Sequence, residues 1–495
     1  MYNKNLIPSL QFIDKLTQEK VTISGLPFTE KEARLSINER RPSFLLPTKE
    51  MIKMIVMHMK GTTQFKSLEV SMSNENYEIS RANLSSSSEK NGEDDDHTCQ
   101  IKFSRFMDSR WDEEAKYFYR LFLPIKDHNW RDLVHSTAYY QHSVYRSTPT
   151  ESLIRIDFGG GGQVHVFSIR SGQDNFLVIE SQSSCTYSAI KKYMYPISLS
   201  LGLVTSVAPF DYAFVVTSET PEFDGKIMGG IVKLRSTIYN PYSFFITYSL
   251  DLYEGLKGIA DYTLHQLCEN GRLKDPLDRP IEEQEFAALA RMLYENKALA
   301  RAALMLIDSS MNLECLGAIY AVALETICTG LIEANKDFFS KYIEQKPWDD
   351  EWISNKNKLI RPFDLPEIGY ELSEEKGKEL LGIRNSFLHG GVLGFSHTEY
   401  YKLLYPCMKL RSFCGILLFR HAGFKGPILN NAVALGLEEA IENEEPLFIT
   451  YDEEAAKELV EKRKKEKQKE KDEKKKQSQG KEKSPQPTEE PEASV

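Results

Sequence analysis

Near residue 245 the hydrophobic pattern of the chain changes period, and that switch constrains the fold more than any other feature. Before it, apolar residues come in short runs. QIKFSRF (100–106), KYFYRLFLPI (116–125), SLIRIDF (152–158), QVHVFSIRS (163–171), NFLVIES (175–181) and DYAFVVTS (211–218) are rich in β-branched and aromatic residues and separated by Gly, Ser, Asp and Pro. Such runs are strands joined by turns. Beyond it, apolar residues recur at helical spacing. Leu252, Leu256, Ile259, Thr263 and Leu267 form one stripe that stops at Asn270-Gly271, and DPLDRP (275–280) is a linker. Glu282 to Asp308 reads as a helix with Phe286, Leu289, Ala290 and Leu293 on one face. Leu313 to Ile343 is apolar nearly all round, as a central buried helix should be. An irregular connection (347–370) leads to a helix ending near residue 389. A last long helix starts at Ser396, whose S-x-x-E with Glu399 is a capping box, and runs to about Arg420 with a kink expected at Pro406.

The expected class is therefore α+β. A β-rich N-terminal domain (1–245) precedes a connecting helix and linker (246–280), an all-α bundle of four or five helices (281–425), a short extension (426–451) and a charged tail (452–495). One helix, near Thr186 to Ser206, interrupts the strands, and FKSLEVSMS (65–73) adds a strand. KEMIKMIVMHMKG (49–61) fits both periods. SRANLSSSSEKNGEDDDH (80–97) has almost nothing to bury and reads as a long surface loop or disordered insertion. The tail, Lys/Glu-rich and then Ser/Pro/Glu-rich, reads as a transient solvated helix followed by disorder.

Charge narrows the partners. The net charge is −10, and Lys457 to Lys483 carries +6, which leaves −16 on the rest. An acidic body argues against coating nucleic acid non-specifically but leaves room for a small local phosphate site. The seven cysteines form no CxxC pair and several sit in apolar runs, so a reducing compartment is expected. The N-terminus lacks the shape of a signal peptide. Of two apolar runs, 194–216 is broken by Pro196, Pro209 and Asp211, and 316–332 carries Glu325 at its middle. Neither reads as a membrane span. A cytoplasmic protein without membrane contact is expected.

Four glycines, Gly159 to Gly162, lack the Lys-Ser/Thr of a phosphate loop and precede a strand, so they read as a hairpin turn. Arg131, His135 and His142 have no carboxylate or cysteine at metal-ligand spacing and read as surface or structural residues. No metal or other cofactor is expected. Glu325 stands apart, because a carboxylate inside an apolar helix is costly unless paired. Arg384 is the evident cation in the same domain. It lies in LLGIRNSFLHGG (380–391), beside Asn385 and five residues before His389. Leu380, Leu381, Phe387 and Leu388 supply a buried face, and Gly390-Gly391 supplies a stop. At about 100° per residue, positions 384 and 389 lie roughly 140° apart, so the two side chains would flank a groove. A permanent cation and a titratable imidazole suit a phosphodiester.

An all-helical C-terminal domain carrying R-N-S-F-L-H resembles the HEPN superfamily, whose hallmark is Arg, a polar residue (often Asn), three further positions and His: here Arg384, Asn385 and His389. The match covers roughly residues 280 to 425. With its β-rich N-terminal region, the layout resembles the ApeA-like proteins of bacterial anti-phage defence. The resemblance implies a metal-independent endoribonuclease working as a homodimer through the helical domain. His389 would be general acid/base, Arg384 would stabilise charge on the scissile phosphate, and Asn385 would position the phosphate or the histidine. Attack by the 2′-hydroxyl would leave a 2′,3′-cyclic phosphate. The N-terminal domain would sense an unknown trigger. The other hypothesis is a non-catalytic module of the same type that binds RNA, a nucleotide or a protein partner.

Overall fold

The computed structural model describes residues 2–461 apart from 25–30, 39–40, 47–62, 74, 92–93, 126–133, 143–149, 172–173, 241, 246–280, 309–312, 346–350, 390–396, 455 and 459–460. The ambiguous stretch 49–61, the stripe 252–267, the linker 275–280, Arg131, Ser396 and nearly all of the tail lie outside the described residues.

Short β-rich runs build one large sheet. Its first eight strands are β1 (Tyr2–Lys4), β2 (Lys20–Ser24), β3 (Lys31–Asn38), β4 (Arg41–Leu46), β5 (Thr63–Met72), β6 (Glu75–Asn91), β7 (Asp94–Lys102) and β8 (Arg105–Asp108). Then come β9 (Phe118–Ile125), β10 (Ala138–His142), β11 (Thr150–Asp157), β12 (Gln163–Ser171), β13 (Asp174–Ser181), β14 (Tyr212–Ser218) and β15 (Met228–Lys233). Their order is β1-β10-β11-β12-β13-β9-β14-β15-β8-β6-β5-β2-β3-β4-β7, and β6 also pairs with β7. That extra pairing closes β2 to β7 into a ring of six strands. β6 joins the ring to the open sheet: Tyr77 to Ser80 pair with β8, and Asn83 to Asn91 pair with β7. Arg81, at φ +53°, lies where the partner changes.

The polar stretch 80–97 is therefore not a loop. It forms most of an antiparallel β6–β7 hairpin, with Asn91 opposite Asp94. A ladder is made by backbone groups and needs no apolar side chains once its register is set. Buried Ile101, opposite Leu84, anchors the ladder at its base.

Along the central strands, alternate residues enter two different cores. Leu121, Leu177, Ile179 and Val215 face one, and Phe122, Val178, Phe214 and Val216 face the other. Burial on both faces explains why these strands read as continuous apolar runs rather than alternating ones. The second core is covered by α1 (Ile7–Gln18), a helix the sequence did not announce, through Leu10, Phe12, Ile13 and Leu16. The first is covered by α2 (Tyr187–Thr205), which stands where it was expected. The Thr186 side chain caps its start by accepting from the Ala189 N–H, and Ser206 ends it at φ +64°.

Beyond residue 280 the described elements are mainly helical. The segment 282–308, expected as one helix, is two: α3 (Glu283–Glu295) and α4 (Lys297–Ile307). Asn296 separates them because it takes an extended backbone and its side chain caps the second, accepting from the N–H groups of Ala298 and Leu299. The apolar segment becomes α5 (Leu313–Ala334), nine residues shorter than read. With α6 (Asn355–Ile360), α7 (Glu374–Leu388) and α8 (His397–His421, with Pro406 inside it), the bundle closes around α5, which touches α4, α6, α7 and α8. α5 is the one helix among the described residues long and apolar enough to cross a membrane, and it lies mostly buried in this core.

No gap separates the sheet from the bundle. α2 packs on α3 and α4, and the same apolar core runs through all three. The buried Glu283 carboxylate accepts from the backbone N–H of Arg155 (2.9 Å), from Arg155 Nε (2.9 Å) and from the Thr137 hydroxyl (2.8 Å). The extension does pack back on the bundle, as Ile428–Leu429 pairs with Phe448–Ile449.

Candidate functional site

α7 carries the sequence-nominated residues, and its docking on α5 decides how they are presented. Ser373 caps its start by accepting from the Lys376 N–H, with Glu374 and Glu375 in the first turn, where carboxylates suit the helix dipole. Gly377, Leu380 and Arg384 form its fully buried stripe, while Leu381, Phe387 and Leu388 are half-buried against the core. The Phe387 ring lies on Gly317 of α5. A Cβ at residue 317 would stand 2.2 Å from the ring, so only glycine admits this approach. The helix ends after Leu388. His389 leaves helical geometry (φ −107°, ψ 14°), and its N–H donates to the Asn385 carbonyl at 2.9 Å. The expected stop residues, Gly390 and Gly391, lie outside the described residues.

Arg384 is paired as its chemistry demands. Its Nη2 donates to Glu325 Oε1, the carboxylate in the middle of α5, and its Nη1 donates to Asn385 Oδ1 at 2.8 Å. Glu325 thus compensates the buried cation, and the cation explains the carboxylate in an apolar helix. Two of the five guanidinium N–H groups are used in these bonds, and the buried Nε has no partner. Arg384 is 9% exposed, whereas His389 is exposed. One is turned into the bundle and the other stands at the helix end, because the helix stops one residue before the histidine. Chemically, the arrangement offers a guanidinium already paired with a carboxylate and, at the helix end, an exposed imidazole.

Of the other nominated features, the glycine run forms the expected turn. Gly159, Gly160 and Gly161 (φ +78°, +59° and +85°) make the turn between β11 and β12. That turn is closed by the Phe158 N–H donating to the Gly162 carbonyl at 3.1 Å. His135 is exposed and meets Glu282 at 3.2 Å. No group of three or more potential metal ligands exists among the described residues. Cys185, Cys315, Cys328, Cys407 and Cys414 are free thiols, and burial pushes the Cys407 thiol up to about 12.

Sequence reasoning missed one buried ionic cluster. Lys4 and Arg120 both pair with Glu180, Arg120 through Nε at 2.8 Å, and Lys4 Nζ also lies 3.0 Å from His165 Nδ1. Burial, then the Lys4 charge, pulls the His165 pKa down to about 4. Arg120 donates to the Asn5 carbonyl (2.6 Å) and the Ser9 hydroxyl (3.1 Å), so the cluster ties β1 and α1 to the sheet. No spacing reveals it, since its members come from residues 4 to 180. Compared with models of protein families, with curated proteins and with solved structures, the chain matches none.

Proposed function

We propose that this chain is a metal-independent endoribonuclease of the HEPN type, related to the ApeA-like proteins, acting in the cytoplasm in anti-phage defence. The observation that carries the reading is the bonded set Arg384–Glu325–Asn385 one turn before an exposed His389. In an RNA strand the 2′-oxygen forms a bond to phosphorus while the P–O5′ bond breaks. A neutral His389 takes the 2′-hydroxyl proton, and a protonated His389 from a second copy gives one to O5′. Arg384, held by Glu325, stabilises the charge that grows on the phosphate. Such pairing requires a homodimer through the helical domain. Val322, exposed one turn before Glu325 on α5, belongs to the surface offered to that second copy. The sheet domain would sense the trigger and pass it on through the continuous core.

One observation favours the alternative, a non-catalytic module of this type that binds RNA, a nucleotide or a partner protein. Arg384 is largely buried and already bonded, as a purely structural arginine would be. Cleavage of a mixed RNA pool in EDTA separates the two. Wild type should cut and leave 2′,3′-cyclic phosphate ends, and His389→Ala should lose about 100-fold or more of that rate. Equal cutting by the two proteins removes His389 from the chemistry. If wild type cuts nothing, even when overexpressed in cells where toxicity would report it, the binding module stands.

A further inference from the structure

A pocket lined by neither Arg384 nor His389 lies where α8, the start of α7 and the C-terminal extension meet. Its volume is about 400 Å³, within the range of small-molecule sites. Tyr370, Phe413 and Phe448 supply aromatic wall. The wall nearest the C-terminus is fastened in place, not draped. Asp452 N–H donates to the Gly369 carbonyl at 3.0 Å, and Arg420 Nη2 donates to the Ile449 carbonyl at 3.0 Å.

Two polar features define what such a pocket takes. Ser412 lines it from α8, is 7% exposed, and its hydroxyl has no hydrogen-bond partner. A helical serine ordinarily returns its hydroxyl to the carbonyl four residues back, and a buried hydroxyl left unpaired is costly. The ammonium of Lys409, in contrast, is fully engaged: Glu379 at 2.9 Å, Tyr405 at 3.1 Å and Glu445 at 3.1 Å surround it. Glu445 also accepts from Asn430 at 3.0 Å. One ammonium faces two carboxylates here, and Glu371, Lys376 and Asp452 also line the pocket, so the lining has no net positive charge to hold a phosphate. Aromatic walls, an unpaired hydroxyl and a lining without net positive charge fit a flat, non-anionic ring with a hydrogen-bonding edge.

We propose that this pocket binds an uncharged planar heterocycle of nucleobase or nucleoside size, stacked on the aromatic wall and bonded to the Ser412 hydroxyl. The site is separate from Arg384 and His389, and the proposal stands or falls independently of the nuclease reading.

The test is calorimetric titration of the full-length protein with adenosine and with uridine, and with the 5′-monophosphate of each. At least one nucleoside should bind, and its monophosphate should bind no more tightly. Ser412→Ala should weaken binding about threefold to tenfold, the worth of one hydrogen bond. Ser412→Met, which fills the pocket, should abolish it while the thermal midpoint of unfolding stays within a few degrees of wild type. Failure of both nucleosides to bind at millimolar concentration overturns the proposal, and so does binding that is unchanged in both variants. A monophosphate that binds tenfold tighter than its nucleoside overturns the uncharged class.

Discussion

A single histidine adds its own pH dependence to the fold. His165 is buried beside the Lys4 ammonium, and its pKa falls from 6.5 to about 4. Its neutral form is therefore the one the fold accepts. Above pH 6.5 both folded and unfolded chains hold it neutral, and it costs nothing. Between pH 6.5 and 4 the unfolded chain binds a proton that the folded chain refuses, so stability falls as pH falls through that window. At about 1.4 kcal/mol per pH unit of differential protonation, the loss from pH 7 to pH 4.5 is about 2 kcal/mol. His165→Gln keeps an acceptor for Lys4 and does not titrate. Urea unfolding of both proteins at pH 7 and pH 4.5 should show wild type losing about 2 kcal/mol more than the variant. Equal losses would place the acid sensitivity elsewhere. At this scale the sequence was legible where one residue contradicted its neighbours. Glu325 in an apolar helix called for a cation, and Arg384 is that cation. Arg120 inside KYFYRLFLPI gave the same kind of signal, but its partners Glu180 and Lys4 lie far from it in sequence, and only the strand order brings the cluster together.

Among the elements, α7 depends on two glycines that sequence alone would treat alike. Gly317 meets the Phe387 ring at a distance no Cβ tolerates, whereas a Cβ on Gly382 would meet nothing within 4 Å. Exchange of glycine for alanine inside a helix is worth about 1 kcal/mol in favour of alanine, and overpacking costs about 1–3 kcal/mol. Gly382→Ala should therefore stabilise the protein by up to about 1 kcal/mol, while Gly317→Ala should destabilise it despite the same propensity gain. Phe387→Leu should recover part of the loss in the Gly317→Ala background but not in wild type, which a double-mutant cycle in urea would measure. Additive effects would mean that the ring and the glycine do not touch. The elements that were legible share one property, a local cause. α2 has its cap at Thr186, the Gly159–Gly162 turn has its glycines, and α7 has its apolar face and its end at His389. The β6–β7 hairpin was not legible, because its anchor is the buried Ile101 at its base and not the Ser- and Asp-rich stretch itself. The break at Asn296 was hidden because the residues on both sides of it are good helix formers.

Over the whole molecule the decisive fact is where the apolar core goes. The change of period near residue 245 suggested a β-rich domain followed by a helical one. The helix α2 packs against both, with the sheet on one side and α3 and α4 on the other, and Glu283 fixes the joint through Arg155 and Thr137. A bundle cut away from the sheet would expose the faces of α3 and α4 that α2 now covers. Sheet and bundle should therefore unfold together. Calorimetric unfolding should give one transition, with the near-ultraviolet dichroism and the far-ultraviolet helix signal moving through the same midpoint. Glu283→Ala removes the buried carboxylate that accepts from Arg155 and Thr137 at the joint, at a cost of about 1–3 kcal/mol, and it should shift that single transition without splitting it. Residues 281–461 expressed alone should lack a cooperative transition. Two separate transitions in the full chain, or a cooperative fold in the fragment, would mean that the shared core does not couple the halves. In that case a trigger held by the sheet could not reach α7 through it.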